Sequence, residues 1–390
     1  MNLVAQFETA RPWREARPSD SGQFVTEFRA AGSLTEPERE RWARLTARSG
    51  NMNIFAADWF MASALRNCAG DARVRLAIVR TLDGEWLGVL PLAFAATIGR
   101  CPIPAWHNWL AANQFDATPL IERGNEHIFW HCLLTQLDRR PLYALALCCD
   151  QLPLDDPATH ALIDVCLAQG RRFFPTDRMT RPMRGGGTPD EADLAARRKL
   201  DKRLDSLERK LAREVGVPRF VSLAAEADPG EWIENFLALE RLGWKGSRAS
   251  ALDCQRGTAR LFREVIRIAH QKGAARLMTL EVDGRPLAMT SWFVCGERGY
   301  GFKMAYDESF RSFAPGRLLM RAVACQASAE PVLLFDSCAG RDAPPDPLWP
   351  QQRELVSYAV SIGSPLRRAA LEGAMRIKAI RDRRSAGQSF

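Results

Sequence analysis

Residues 302–320 read FKMAYDESFRSFAPGRLLM, and the way they fold decides the rest of the chain. Residues 302–306 form a β-prone run that breaks at Asp307. A polar and aromatic loop follows, then Pro315-Gly316, and an apolar-periodic run opens at Leu318-Leu319-Met320. Strand, backbone-rich turn and helix in that order make an anion site, because the first-turn N–H groups and the positive dipole end both face the turn. Pro315 costs nothing there, since a first-turn N–H has no helical partner. Gly316 lets the backbone come close to a ligand. Arg311 and Arg317 add cations suited to phosphate. The plainer alternative is a Pro-Gly turn feeding a core helix.

Residues 299–306 read as a strand, the helix after Pro315 runs to about residue 327, and 332–336 reads as another strand. Upstream lies ARLMTLEVDGRPLAMTSWFV, two β-prone runs around Asp283-Gly284. The same figure occurs earlier as VRLAIVRTLDGEWLGVLPLAF around Asp83-Gly84. Asp-Gly between alternating apolar runs is a strong hairpin signal, and two of them in one chain predict a repeated α/β plan. Helices are predicted near 59–66, from Glu231 through Leu242 with Gly243 as its stop, and over 258–272. Ser33-Leu34-Thr35-Glu36-Pro37-Glu38 predicts a helix start, and 183–189 reads as a turn or linker.

Between the hairpins, residues 194–211 place five leucines on one helical face and seven Lys or Arg on the other. This is either a surface helix with a solvated charged face or a basic lip near an anionic substrate or membrane. The resulting domain plan is a helical lead-in over 1–50, a first module over 51–190, and a basic connecting helix over 191–215. A second module over 216–365 and a basic helix and tail over 366–390 complete it.

The bulk composition is that of a soluble globular protein: 390 residues, 46% hydrophobic and 26% charged. No apolar run is long enough to span a bilayer, and the first residues lack the apolar stretch of a signal peptide. The expected location is the cytoplasm, with peripheral association with the inner membrane as a further expectation. The net charge of +8 favours acidic partners, whether nucleotide phosphates, anionic lipid or nucleic acid. Ten cysteines without a Cys-x-x-Cys pair, and five histidines, give no metal-ligand spacing. No metal is expected, and the cysteines read as buried apolar residues.

The segments SLERKLAREVGV, FLALERLGWKG, EVDGRPLAM, FKMAYDESFRSFAPGRLLM and LLFDSCAGRDAPPDPLW occur here in the order seen in the CelD/BcsL-type acetyltransferases. That is a branch of the GNAT acyl-CoA N-acyltransferase superfamily. The first half is similar to that family's first half through its Asp-Gly hairpin, Leu90-Pro91-Leu92 and NQFDATPLI at 113–121. The resemblance runs from about Asn53 to Trp349. It implies an α+β, α/β-type fold of two tandem GNAT-like modules, each a mixed, mostly antiparallel sheet flanked by helices. It further implies acyl-CoA as co-substrate, with no tightly bound cofactor. The pyrophosphate would sit on the loop containing Arg311, Ala314, Pro315, Gly316 and Arg317, the pantetheine arm along 299–306, and the acyl carbonyl near 332–336.

N-acyl transfer needs a base for the amine, donors for the oxyanion and an acid for the leaving thiolate. Asp336, at the end of the last strand, is the first candidate for base or for gripping the ammonium; a turn carboxylate at a strand end is the alternative. Asp307 is the second candidate, or else merely stops the strand. Tyr306 is a candidate acid for the thiolate, or a core-edge aromatic. Lys303 is placed to touch donor phosphate or substrate, since an unpaired buried lysine is costly. Trp244 and Lys245 at a helix end are candidates for lining the acceptor cleft. His107 and Asn113 belong to an aromatic and amide-rich cluster suited to a sugar or headgroup, with a structural histidine as the alternative. The expected function is transfer of an acyl group from a CoA thioester to an amine acceptor, either a sphingoid-type long-chain amine or an amino sugar, in envelope lipid or polysaccharide metabolism. The partners are acyl-CoA, that amine acceptor and an anionic membrane surface; nucleic acid is not an expected partner. A FemAB-like aminoacyl-tRNA-dependent transferase and a non-catalytic scaffold are the alternatives.

Overall fold

Both Asp-Gly dipeptides turn antiparallel strands back on themselves in the structure, a computed structural model that describes residues 23–49, 53–185 and 190–386. The first half runs β1 (Phe24–Ala30), α1 (Glu36–Arg48), α2 (Asp58–Cys68), β2 (Arg75–Thr81), β3 (Trp86–Ala95), β4 (Ala105–Asn108) and the short β5 (Leu120–Ile121). It continues with α3 (Glu126–Arg139), β6 (Ala146–Pro153), α4 (Pro157–Ala168) and β7 (Phe173–Gly185). The linking helix α5 (Glu191–Glu214) leads to β8 (Arg219–Ser222), α6 (Gly230–Leu242), the single turn α7 (Trp244–Ser247) and α8 (Arg256–Gln271). Then come β9 (Ala275–Val282), β10 (Arg285–Cys295), β11 (Arg298–Tyr306), α9 (Pro315–Ala329), β12 (Leu334–Asp336), β13 (Gln351–Ser361) and α10 (Pro365–Ala386).

Local chemistry explains these boundaries. Asp283 and Gly284 both take left-handed backbone, φ 49° and 77°, the mirror-image turn whose twist matches its strands. The Thr35 N–H donates to Glu38 at 2.7 Å, and the two side chains close a capping box at the start of α1, with Pro in its first turn. In α6, Trp232, Ile233, Phe236 and Leu237 recur on one buried face, and Gly243 follows its last residue.

Strand order in the sheet is β1-β2-β3-β4-β6-β13-β7-β12-β11-β10-β9-β8, with β5 added against β3. β4 pairs with β6 in parallel, and so does β11 with β12; every other pairing is antiparallel. Read from either end the order is the same: an edge strand, a hairpin, a fourth strand, and a fifth beside it in parallel. Each half then gives its last strand to the other. β13, from the second half, lies against β6, while β7, from the first half, lies against β12. The α+β architecture and the repeat are as expected, but the halves share one sheet, and the boundary at 190 divides the sequence without dividing the fold. Two local expectations are corrected. The lead-in is not wholly helical, because β1 pairs with β2 at the sheet edge. Residues 183–185 are strand rather than turn. Residues 1–22, 50–52, 186–189 and 387–390, which fall within the lead-in, linker and tail expectations, lie outside the described residues.

One face of the sheet carries helices from both halves, α1 and α2 beside α6 and α8, around a single apolar core. Phe55 and Phe60 of the first half pack edge-on to Tyr300 and Phe293 of the second, with ring centroids 5.3 and 6.4 Å apart. Each such buried ring contributes about 1.5–3 kcal/mol, so the join between the halves is core rather than surface contact. The other face is split: α3 and α4 cover the first half, and α5 and α9 the second. Of the leucines of α5, Leu204 and Leu211 are fully buried. Most cysteines are buried as expected, and burial raises the thiol pKa of Cys148 and Cys149; Cys254 and Cys325 are exposed instead.

Candidate active site

β11 and β12 pair only where residues 298–300 meet 334–336; β11 then runs on to Tyr306 with that edge open. The chain peels away after Asp336 for local reasons. Cys338 takes left-handed backbone, φ 51°, and its N–H donates to Asp336 Oδ1 at 2.8 Å. Gly301 makes room beneath: a Cβ there would stand 2.5 Å from the Ser337 carbonyl oxygen. The gap opens into a cleft of about 460 Å³, walled by 302–306 of β11, the end of α6, Trp244, Lys245, Phe115 and residues 338–340. The equivalent gap in the first half is stitched shut. Asn108 donates to the Asp150 carbonyl at 3.0 Å and accepts from the Asp150 N–H at 2.7 Å, bridging the place where β4 and β6 would part.

Lys303 reaches into the cleft. Its ammonium donates to Asn113 Oδ1 at 2.5 Å and lies 5.3 Å from the centre of the Phe115 ring. Its pKa is pushed down to about 8, first by burial and then by the charge of Lys245, against the opposing pull of Glu240 and Cys338. Asn113, itself in left-handed backbone at φ 69°, belongs to the first half, so the two halves jointly build this corner. Lys245 donates to Glu240 Oε1 and to the Met304 carbonyl, both at 2.8 Å, tying α7 to β11. Glu240 is buried, and its other oxygen accepts the Leu252 N–H at 2.8 Å. Trp244 lines the cleft with Arg248 over its ring.

Two candidates do not fit the roles expected of them. Asp336 is fully buried: Oδ2 accepts from Arg181 at 2.6 Å and Arg353 at 2.7 Å, while Oδ1 holds the Cys338 N–H. Burial raises its pKa, but the two arginines outweigh it and hold the carboxyl below the usual range, so Asp336 is an ion-pair anion and not a base. Asp307 caps the turn after β11. Oδ1 accepts from the Ser309 N–H and hydroxyl, Oδ2 pairs with Arg285 at 2.7 Å, and these bonds outweigh burial and lower its pKa. Tyr306 lines the cleft, its phenol pKa raised by burial and by the neighbouring Glu308. His107 lies outside the cleft, with Nδ1 3.0 Å from Asp150 Oδ2.

The expected phosphate loop is a short 3₁₀ turn, Glu308–Phe313, ended by Ala314 in left-handed backbone at φ 51°, and α9 starts at Pro315. The helix N-terminus is therefore present. Arg317, however, is already paired with Asp346, whereas exposed Arg311 pairs with no acid among the described residues. Gly316 does not face open space. A Cβ there would meet Tyr306 Cδ1 at 3.4 Å and Met304 Sδ at 3.5 Å, ordinary contact distances, so the position faces the packing of α9 on β11. The loop suits an anion through its helix end and Arg311, with less backbone access than expected.

Several contributors were not singled out in the sequence: Glu240, Phe115, Cys338, Arg181 and Arg353. Glu240 alone carried a local sign, an acid on the apolar face of α6, three and four residues beyond Leu237 and Phe236.

Residues 197–344 match the family model described as an acetyltransferase (GNAT) domain. Comparison with curated protein sequences gives no match. Among solved structures the chain is similar to FemX, 13% identical with TM-score 0.53, over 87% of this chain and 97% of that one. It is also similar to a conserved protein of unknown function from Bacteroides thetaiotaomicron, 14% identical with TM-score 0.51, over 87% of this chain and 100% of that one. At such identity these likenesses show the fold alone.

Proposed function

We propose that the protein is an N-acyltransferase that moves an acyl group from a CoA thioester to an amine in the cleft beside β11. The observation that carries this reading is the parting of β11 from β12 with Lys303 in the gap, within the segment that matches the GNAT domain. A thioester arm laid along the open edge of β11 would bring its carbonyl to the level of Lys303, with its phosphates toward Arg311 and the start of α9. Lys303, with a pKa near 8, takes the proton of the attacking ammonium. The neutral amine adds to the thioester carbon, the C–S bond breaks as Tyr306 gives its proton to the departing thiolate, and the second proton shed by the nitrogen restores the Tyr306 phenol, yielding an amide and free CoA. The acceptor enters past Trp244 and Phe115, aromatic walls suited to the apolar body of a long-chain amine or the face of an amino sugar. The sequence resemblance to the CelD/BcsL branch favours an envelope lipid or polysaccharide acceptor.

The test is thermal unfolding of the full chain with acetyl-, medium- and long-chain acyl-CoA, followed by mass spectrometry of amine acceptors. A true donor at a hundredfold excess over its Kd adds about 2.7 kcal/mol. Stabilisation by no acyl-CoA, together with stabilisation by an aminoacyl-tRNA, replaces this reading with a FemAB-like one, for which the fold-level likeness to FemX leaves room.

A further inference from the structure

We propose that the outer end of the first half is a docking face for an anionic lipid bilayer, formed by the turn that follows α3 and the start of α10. It shares no residue with the cleft lining and does not depend on the reaction assigned there. In this turn Leu142 and Tyr143 both take left-handed backbone, φ 48° and 71°, which bulky residues rarely adopt. The Ala144 N–H donates to the Pro141 carbonyl at 3.0 Å, and Trp106 Nε1 donates to the same oxygen at 3.3 Å, so the conformation is fixed from beneath. The result is that Tyr143 is 85% and Leu142 51% exposed. The first turn of α10 adjoins it. Arg367 donates to the Ala144 carbonyl at 3.3 Å, and its neighbour Leu366 is 81% exposed.

The charges nearby complete the pattern. Tyr143 and Leu142 share a shallow cavity of about 650 Å³ with Phe94, Arg73 and Arg75. Arg139 and Arg140 lead directly into the turn. All four arginines are exposed, and none pairs with an acid among the described residues. The cavity lining holds one acid, Asp71. Protruding tyrosine and leucine side chains among uncompensated arginines fit the headgroup boundary of an anionic membrane, where apolar tips bury and guanidinium groups stay with phosphate. A nucleic acid would use the arginines without needing the apolar tips. The basic helix α5 is built differently: Arg197, Arg198 and Arg213 pair with acids of the same helix, and Leu194 is its one large apolar side chain that is markedly exposed. No described helix is long and apolar enough to cross a membrane, so this attachment is peripheral.

The experiment is sedimentation of the full chain with phosphatidylcholine vesicles, with and without phosphatidylglycerol, at low and physiological salt. Binding is expected only with the anionic lipid and should weaken with salt. Arg139→Gln/Arg140→Gln should lower the partition coefficient about 30-fold, at about a fivefold loss per arginine. Leu142→Ser/Tyr143→Ser, and separately Leu366→Ser, should weaken binding at unchanged melting temperature. Failure of the wild type to bind anionic vesicles overturns the proposal. So does binding that survives the serine variants, and so does a preference for duplex or single-stranded nucleic acid lost only in the arginine variant. Turnover of a water-soluble amine should be unchanged in every variant, so failure of the docking face and failure of the transfer reaction read out separately.

Discussion

Arg181 and Arg353 stand opposite one another in register across β7 and β13, and both guanidinium groups donate to the same oxygen of Asp336. Two buried cations facing each other repel, and the shared anion offsets that repulsion. Because β7 and β13 are the exchanged strands, this triad sits at the crossing point of the two halves. Arg353 also reaches Asp155 at 3.0 Å and Asp116 at 3.3 Å, in the loop that carries Asn113. The charge cluster thereby fixes the loop that touches Lys303.

Asp336→Asn should destabilise the protein by about 3–5 kcal/mol, the cost of leaving buried charge uncompensated. Its effect on turnover should follow the loss of folded protein. Because its folded pKa is depressed, the Asp336 contribution is present above the unfolded carboxyl range and is lost as pH falls. A variant with unchanged melting temperature and a collapsed kcat would return Asp336 to the chemistry.

Asp156 should give the opposite slope. Burial, and then the charge of Asp116, raise its pKa to about 7 despite Arg298 and Arg353. Between about pH 4 and 7 the folded state holds a proton that the unfolded state has released, so stability falls as pH rises across that window. Asp156→Asn keeps the oxygen that caps α4 through the Ala158 N–H. The difference in melting temperature between wild type and variant, followed from pH 4 to 7, should run downhill for the wild type; a flat difference would show the carboxyl titrating normally.

For Lys303, kcat/KM should rise with pH and level off through an inflection near 8, as the amine becomes neutral. Lys303→Arg stays charged and should lose about 10²–10⁴-fold. Asn113→Asp places a carboxylate at the ammonium, favours its charged form and should move the inflection to higher pH. A profile flat through pH 8 assigns the proton to another group.

At Gly316 the size of the side chain decides. Gly316→Ala adds one carbon at ordinary contact distance from Tyr306 and Met304 and should leave stability and donor KM near wild type. Gly316→Val overpacks the helix–strand contact, at about 1–3 kcal/mol, and displaces Tyr306. A KM for acyl-CoA that already climbs in the alanine variant would instead mean that the glycine backs onto the ligand.

What the sequence made legible was local. The two hairpins and the order of β11, turn and α9 follow from turn and cap chemistry within a few residues; α6 does end at Gly243, but in extended backbone (φ −81°) rather than the left-handed cap expected of a glycine. The strand exchange was hidden, because β7 carries Pro175 and Pro182, residues that argue against a central strand. The arginine triad was hidden for a related reason: its members are 17 to 172 positions apart, and only the register of β7 on β13 brings them together. Asp336 was identified as important from its position at a strand end, but the chemistry of that position depended on partners that no local pattern announces.

The exchange also constrains the order of events during synthesis. The strand that completes the first half of the sheet, β13, leaves the ribosome only after β8 to β12 have been made. Until it arrives, β6 presents an unpaired edge where an antiparallel partner belongs, and β7 lacks the neighbour along which it makes its longest pairing. The nascent first half must therefore wait, unfinished, through the translation of the whole second half, with a sticky edge open to other chains. Early translation stops or truncations before residue 351 should thus be felt as aggregation of the N-terminal half, far from the place where the chain was cut.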